Sequence, residues 1–323
     1  MRIIFPVLLM LFAPCFYSQT VVSELPIRFG QFFNNPQINP AKGGSKMGIE
    51  LYAGSRRNSG SFAGVSTSLF SCYFRLNSKN KSFNVLGVDF NNDKEGPFLS
   101  RNRFYGSFSR HQKLNDSWFF AGGVSLGMYN FGIKSSDVIP GVSAAAFDGN
   151  GGIWLYTKNT GLGISVNQFN NAKVQPVDEV IQLTRHYHFM AEHTLAINEL
   201  FQIKPSVFTR IMENNTNRFL RQWGLGGAVN FLIKDIVGFG TSYEKDEGFY
   251  ACIGIQNVCV ACQENKNSAL SIDLSYFMPS RTNYRTNTQC YELVLRYYFD
   301  KNKNSNKTSG KNENAAKCPE FKK

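Results

Sequence analysis

The chain has 323 residues, 42% of them hydrophobic and only 18% charged, with a formal net charge of +12. No stretch beyond the N-terminus approaches the ~20 consecutive apolar residues of a membrane-spanning helix, so a helical membrane protein is excluded. A β-barrel is not, because its strands hide apolar residues in alternation, and 29 Phe, 14 Tyr and 28 Gly suit aromatic girdles and close-packed strands.

Met1 and Arg2 precede an apolar run over residues 3–12, which ends near Ala13-Pro14-Cys15-Phe16-Tyr17-Ser18-Gln19. This reads as a secretory signal peptide over residues 1–18, cut beside Ser18. Lipoprotein cleavage before Cys15 is the weaker reading, since Pro14 would sit at the scissile bond. The destination is then the periplasm, the outer membrane or the exterior. Residues 19–46 form a segment of their own before the first strand. Its core, Gly30-Gln31-Phe32-Phe33-Asn34-Asn35-Pro36-Gln37-Ile38-Asn39-Pro40-Ala41-Lys42-Gly43-Gly44, holds two Asn-Pro steps that cannot sit inside a sheet ladder. Asn side chains close turns, Gly43-Gly44 permits a bend, and Phe32, Phe33 and Ile38 give the segment something to bury. Two readings follow: a strand-entry turn, or a packed element at the periplasmic mouth able to dock a partner.

From residue 47 to 299 about fourteen segments of period-two character follow one another, separated by turn residues. Clear examples are Leu162/Ile164/Val166, Trp223/Leu225/Val229/Phe231/Ile233, Val237/Phe239/Thr241/Tyr243 and Leu270/Ile272/Leu274/Tyr276. Their alternate positions hold Gly, Ser, Asn and Asp, which suits a hydrated or tightly filled lumen better than a soluble sandwich. Turns at Lys158-Asn159, Asn198-Glu199 and Lys234-Asp235 are tight. Long external loops are expected over residues 92–101, 134–147, 170–185 and 278–288, with a short helix over 176–183. The pattern is broken by a tight external turn at Asp246-Glu247 and a long internal one over 258–267. The last strand, residues 289–299, puts Tyr291, Leu293, Leu295, Tyr297 and Phe299 on one face and Glu292 and Arg296 on the other. The expected fold is therefore all-β, an antiparallel up-and-down transmembrane barrel whose closing strand lies beside the first strand at residues 47–53.

Chemistry is sparse. Cys259 and Cys262 form a turn disulfide or two free thiols, and no second pair of metal ligands accompanies them. His186 and His188 share a strand face, two imidazoles being too few for a metal site, and a hydrolase built on them is the least supported reading. Asp89, Asp273, Glu292 and Arg296 should face inward, where charges more often pair or set selectivity than catalyse. No phosphate-binding loop or catalytic motif occurs, so an enzyme, a cofactor and a metal are not expected. Residues 300–323 form a flexible basic tail, with Lys301, Lys303, Lys307, Lys311, Lys317, Lys322 and Lys323. In an exported protein such charge addresses lipid headgroups or acidic partners rather than nucleic acid.

Gln31, Asn35, Pro36, Asn39, Pro40, Ala41 and Gly44 resemble the opening motif of the PorP/SprF family of Bacteroidetes outer-membrane proteins. Similar, too, are Gly151-Gly152-Ile153, Gly161-Leu162-Gly163-Ile164-Ser165-Val166, Lys204-Pro205-Ser206, the closing strand and Lys317-Cys318-Pro319-Glu320-Phe321. The spacing between the Asn-Pro steps is a residue shorter here, Lys42 replaces a usual aromatic, and Leu274-Ser275-Tyr276-Phe277 stands for a Tyr-Ser-Tyr-Asp-like stretch. The resemblance implies an integral outer-membrane accessory of type IX secretion, helping to export or attach cargo such as gliding adhesins. Its implied partners are outer-membrane lipid, type IX components and a secreted cargo. The alternative is a channel for small solutes, either a porin or a FadL-like transporter, although no small-molecule substrate is identified.

Overall fold

The computed structural model describes residues 36–45, 48–60, 63–79, 82–135, 140–176, 180–213, 220–245, 248–260, 267–279 and 289–300. A single 3-10 turn, Pro40–Lys42, precedes the strands β1 (Ile49–Asn58), β2 (Ser66–Lys79), β3 (Ser82–Glu95), β4 (Leu99–Lys113), β5 (Phe119–Ile133) and β6 (Val142–Tyr156). There follow β7 (Thr160–Asn167), the short β8 (Lys173–Val174) and β9 (Ile181–Gln182), β10 (His186–His193), the short β11 (Leu195–Ala196) and β12 (Phe201–Glu213). The last five are β13 (Leu220–Ile233), β14 (Val237–Glu244), β15 (Gly248–Cys259), β16 (Asn267–Pro279) and β17 (Cys290–Asp300).

Fourteen of these strands are staves of one closed antiparallel barrel. β1 to β7 pair in sequence, β10 bridges β7 and β12, and β12 to β17 continue the round. Closure is made by β1 on β17, with Ile49 opposite Phe299 and Arg57 opposite Tyr291. The first and last strands thus meet as the alternation predicted. A closed ladder leaves no sheet edge to be satisfied by lipid, which is why only barrels and helices cross a bilayer.

Sidedness follows the pleat. In β17 Tyr291, Leu293 and Leu295 are exposed outward, while Cys290, Glu292, Val294, Arg296 and Tyr298 are buried inward. Outward apolar residues recur around the wall, with Phe104, Leu126, Ile164, Leu225, Ile253 and Leu274 all exposed. Lipid removes the cost that water would impose on such a belt. Inside, charges pair across strands: Arg296 with Asp273, Arg101 with Glu95 at 2.7 Å, Arg210 with Glu244 at 3.6 Å and Arg56 with Glu292 at 3.9 Å. All four acidic and basic positions expected inward are there, and Asp89 accepts hydrogen bonds from Tyr73 and from Ser107.

Several loop expectations are corrected. Residues 92–101 are not a long loop: β3 and β4 run on to Glu95 and from Leu99, leaving only a three-residue turn with Gly96 at φ 73°. Asn91, Asp93, Arg101 and Arg103 are polar yet lie within strands, because a lumen tolerates them where a core would not. Likewise β6 begins at Val142, well inside the loop expected over 134–147. Of the helix expected over 176–183, residues 177–179 lie outside the described residues, and Ile181–Gln182 is instead a strand that pairs with Lys173–Val174. That hairpin folds inward, where Ala172, Val174 and Leu183 pack on Tyr129 and Phe131 beneath the rim. Residues 1–35 and 301–323, with the signal peptide and basic tail, lie outside the described residues, as do most of 278–288 and of 258–267. Cys259 is disulfide-bonded, and Cys262 lies outside the described residues.

Candidate functional site

Residues 36–45 of the family-like segment lie inside the barrel. Pro36, Gln37, Ile38, Asn39, Pro40, Ala41, Lys42, Gly43 and Gly44 are all buried, with Asn39 and Ala41 wholly so. Local chemistry shapes the segment first. Asn39 caps the 3-10 turn, its Oδ1 accepting from the Ala41 backbone N–H at 3.0 Å, and Pro40 fills the first helical position, which needs no N–H donor. The other end of the same amide then reaches the wall: Nδ2 donates to the carbonyl of Ile153 at 2.9 Å.

The wall is hollowed to receive it. A Cβ at Gly123 would lie 2.5 Å from the Ala41 nitrogen, and side chains at Gly152 and Gly163 would collide with the Asn39 amide. These glycines on β5, β6 and β7 face the lumen and leave backbone bare where the Asn-Pro-Ala turn presses in. Gly43 lies against the Tyr73 ring, and Gly44 adopts φ 69° against Val85, a conformation that an L side chain resists.

Polar anchors hold the segment at three levels. Gln37 Nε2 donates to Ser71 Oγ at 2.7 Å on β2. Lys42 Nζ lies 3.1 Å from Glu192 Oε2 and 4.4 Å over the Trp154 ring, so the lysine at a usual aromatic position still engages an aromatic wall. Lys204 shares the same Glu192 oxygen at 3.3 Å. Near the base, Arg75 donates to the Gly44 carbonyl at 2.9 Å, Glu50 accepts from the Gly44 N–H at 3.2 Å, and a His111 ring nitrogen lies 3.1 Å from the Gly43 carbonyl.

The segment therefore occupies the lumen from mid-height to the base, and the β8–β9 hairpin covers the inner wall near the rim. Between them lies a polar chamber. Gln37 and Ile38 form one side, and Asp89, Asn91, Arg103, Asn150, Asn167, His188 and Arg210 are among the wall residues. His186 and His188 both face inward, their rings stacked with centroids 6.1 Å apart. Among the described residues no group of three or more His, Cys, Asp or Glu is arranged to hold a metal ion.

Of the motif residues, the structure brings Pro36, Asn39, Pro40, Ala41 and Gly44 together in the lumen, while Gln31 and Asn35 lie outside the described residues. The closing-strand residues Tyr291, Leu293, Leu295, Tyr297 and Phe299 are on the outer face, apart from that cluster. The chamber was not foreseen. Its signal was the polar run Asp89-Phe90-Asn91-Asn92-Asp93, whose alternate members face the lumen.

Solved structures of similar fold are outer-membrane barrels. A FadL homologue of Pseudomonas aeruginosa superposes with TM-score 0.53 at 10% identity, covering 84% of this chain and 95% of its own. The Pseudomonas putida toluene transporter TodX gives TM-score 0.50 at 11% identity, covering 84% and 94%. The Ralstonia pickettii toluene transporter TbuX gives 0.50 at 10%, covering 82% and 92%. At such identity the likeness is one of fold. No curated protein matches the chain. Residues 21–297 match the family described as Type IX secretion system membrane protein PorP/SprF. With the motif seated in the lumen of a closed outer-membrane barrel, the chain belongs to the PorP/SprF family.

Proposed function

We propose that this protein is an accessory of type IX secretion that helps to export or retain cargo proteins, such as adhesins, at the cell surface through protein–protein contacts. The observation that carries this reading is the filled lumen. A barrel whose interior holds its own Asn-Pro-Ala turn, fixed at three levels, is built to present surfaces rather than to pass large solutes. Binding surfaces are then the rim loops and outer strand faces, and the role needs no covalent chemistry. Delivery begins with cleavage of the signal peptide beside Ser18. Deletion of the gene should strip one or a few proteins from the cell surface, and an unchanged surface proteome would refute the proposal.

A second reading, a channel for small solutes, draws on the FadL-like fold and the chamber in the lumen. Toluene, transported by two of the similar barrels, is ill suited to a chamber walled by Asn91, Arg103, His188 and Arg210. Purified protein in liposomes discriminates the two: steady conductance favours the channel, and an electrically silent bilayer favours the accessory.

A further inference from the structure

We infer that the outer wall of β1–β5, at its external end, is a binding site for a phosphorylated glycolipid of the outer leaflet, of the chemical class of lipid A. The inference does not rest on the secretion role. Along β2 to β5 the outward residues form rows that follow the ladders. Phe70, Phe90, Phe104 and Met128 are neighbours strand to strand, all exposed, and belong to the lipid-facing belt. Two residues further along each strand stands a polar row, Ser68, Asn92, Asn102 and Asn130. Two residues beyond that, Arg57 on β1, Ser66 on β2 and Lys94 on β3 are neighbours in turn, and both cations are exposed. The chain enters β1 at the opposite end of the barrel, and the long β7–β10 connection lies at this end, as external loops of such barrels do.

Charge sets the class of headgroup. Neither Arg57 nor Lys94 takes part in an ion pair among the described residues. No acid shares their outward rows, because Asp93 and Glu95 turn to the lumen, where Arg101 pairs with both. The cations stand two strand spacings apart, on the order of 10 Å, a gap that two long side chains close on one phosphate above Ser66. The amides below address the sugar. Asn92 donates to Asn102, and the Asn102 amino group and the Asn130 amide remain turned outward, toward hydroxyls and amide-linked acyl chains. Elsewhere β10, β14 and β17 finish their outward faces on Tyr187, Tyr243 and Tyr291, the rings of an ordinary headgroup boundary. Adjacent strands with Asn, Ser and cations in that place, directly above a row of Phe and Met, suit a wide headgroup carrying sugar, phosphate and several chains. A glycerophospholipid matches the charge but is too narrow to use the whole row.

The test titrates the full chain in detergent with diphosphoryl lipid A, dephosphorylated lipid A and phosphatidylglycerol, and counts bound lipid by native mass spectrometry. One saturating adduct of diphosphoryl lipid A is expected, bound about fivefold or more tightly than either of the others. Arg57→Gln with Lys94→Gln should weaken it about tenfold in protein that keeps its heat-modifiable mobility. Lys158→Gln with Lys234→Gln removes the same charge from exposed residues at the opposite end of the barrel and should leave the affinity unchanged. Absence of a saturating adduct would overturn the proposal. So would equal binding of phosphatidylglycerol or of dephosphorylated lipid A, or an equal loss in the two double variants. Should the Arg57 and Lys94 double variant fail to fold, Lys94→Gln alone and the three-lipid comparison decide the matter.

Discussion

The side-chain amide of Asn39 donates to the backbone carbonyl of Ile153, 114 residues further along the chain, at 2.9 Å. Its other end accepts from Ala41 two residues away at 3.0 Å. One amide therefore closes the local turn and fixes that turn to the barrel wall. Neither the aspartate that could replace it in the turn nor the serine could do both, because each lacks a neutral amide donor pointing outward.

Asn39→Ala removes the cap and the wall contact together. A loss of about 1–3 kcal/mol is expected, read as a lower temperature for the loss of the compact band on electrophoresis. If the segment blocks conduction, Asn39→Ala should also show current bursts in planar bilayers that the wild type lacks. An unaltered melting temperature and unaltered conductance would contradict the assigned role.

The neighbouring glycines Gly122 and Gly123 supply an internal control. A Cβ at Gly123 meets the Asn-Pro-Ala backbone at 2.5 Å, whereas one at Gly122 meets nothing within 4 Å. Gly123→Ala should destabilise by about 1–3 kcal/mol through overpacking, while Gly122→Ala should stay within about 0.5 kcal/mol of the wild type. Thermal melts of the two variants in one detergent make the comparison, and equal melts would place the segment elsewhere.

Arg296 and Asp273 form a buried ion pair between the last two strands, with Gln256 accepting from Arg296 at 3.0 Å. Arg296→Met or Asp273→Leu alone should cost about 3–5 kcal/mol by leaving a lone buried charge, and the double variant should recover much of it. Urea unfolding in lipid vesicles reports the differences. Additive losses would mean that the two charges do not depend on each other.

Gly54 on β1 lies opposite Val294 on β17. With Cys290 replaced by Ser to prevent mispairing, Gly54→Cys and Val294→Cys should cross-link on mild oxidation within one chain, seen as a mobility shift reversed by reductant. Gly54→Cys with Leu293→Cys should not, since a one-residue slip turns the second side chain to the lipid face. Efficient cross-linking of the second pair alone would show that the barrel closes in another register.

Much of the wall was legible in the residues themselves. Tyr291, Leu293 and Leu295 against Glu292 and Arg296 fixed the sidedness of the final strand, because a lipid outside and a polar interior leave only one way to place such an alternation. The neighbourhood of β1 and β17 followed as well, since an up-and-down barrel must join its ends. Alternation fails where both faces are polar, so residues 92–101 read as a loop although β3 and β4 fill most of them.

The address of the Asn-Pro motif was not legible. Asn39, Pro40 and Ala41 by their own chemistry specify a capped turn, and the inward glycines by their parity specify a bare patch of wall. Sequence alone thus determined the alternating wall, its closure and the shape of the turn. Only the tertiary structure decided that the turn sits within the wall, against Gly123, Gly152 and Gly163, because those residues lie on three different strands. Their meeting depends on barrel curvature, strand stagger and long-range pairing, none of which local patterning encodes.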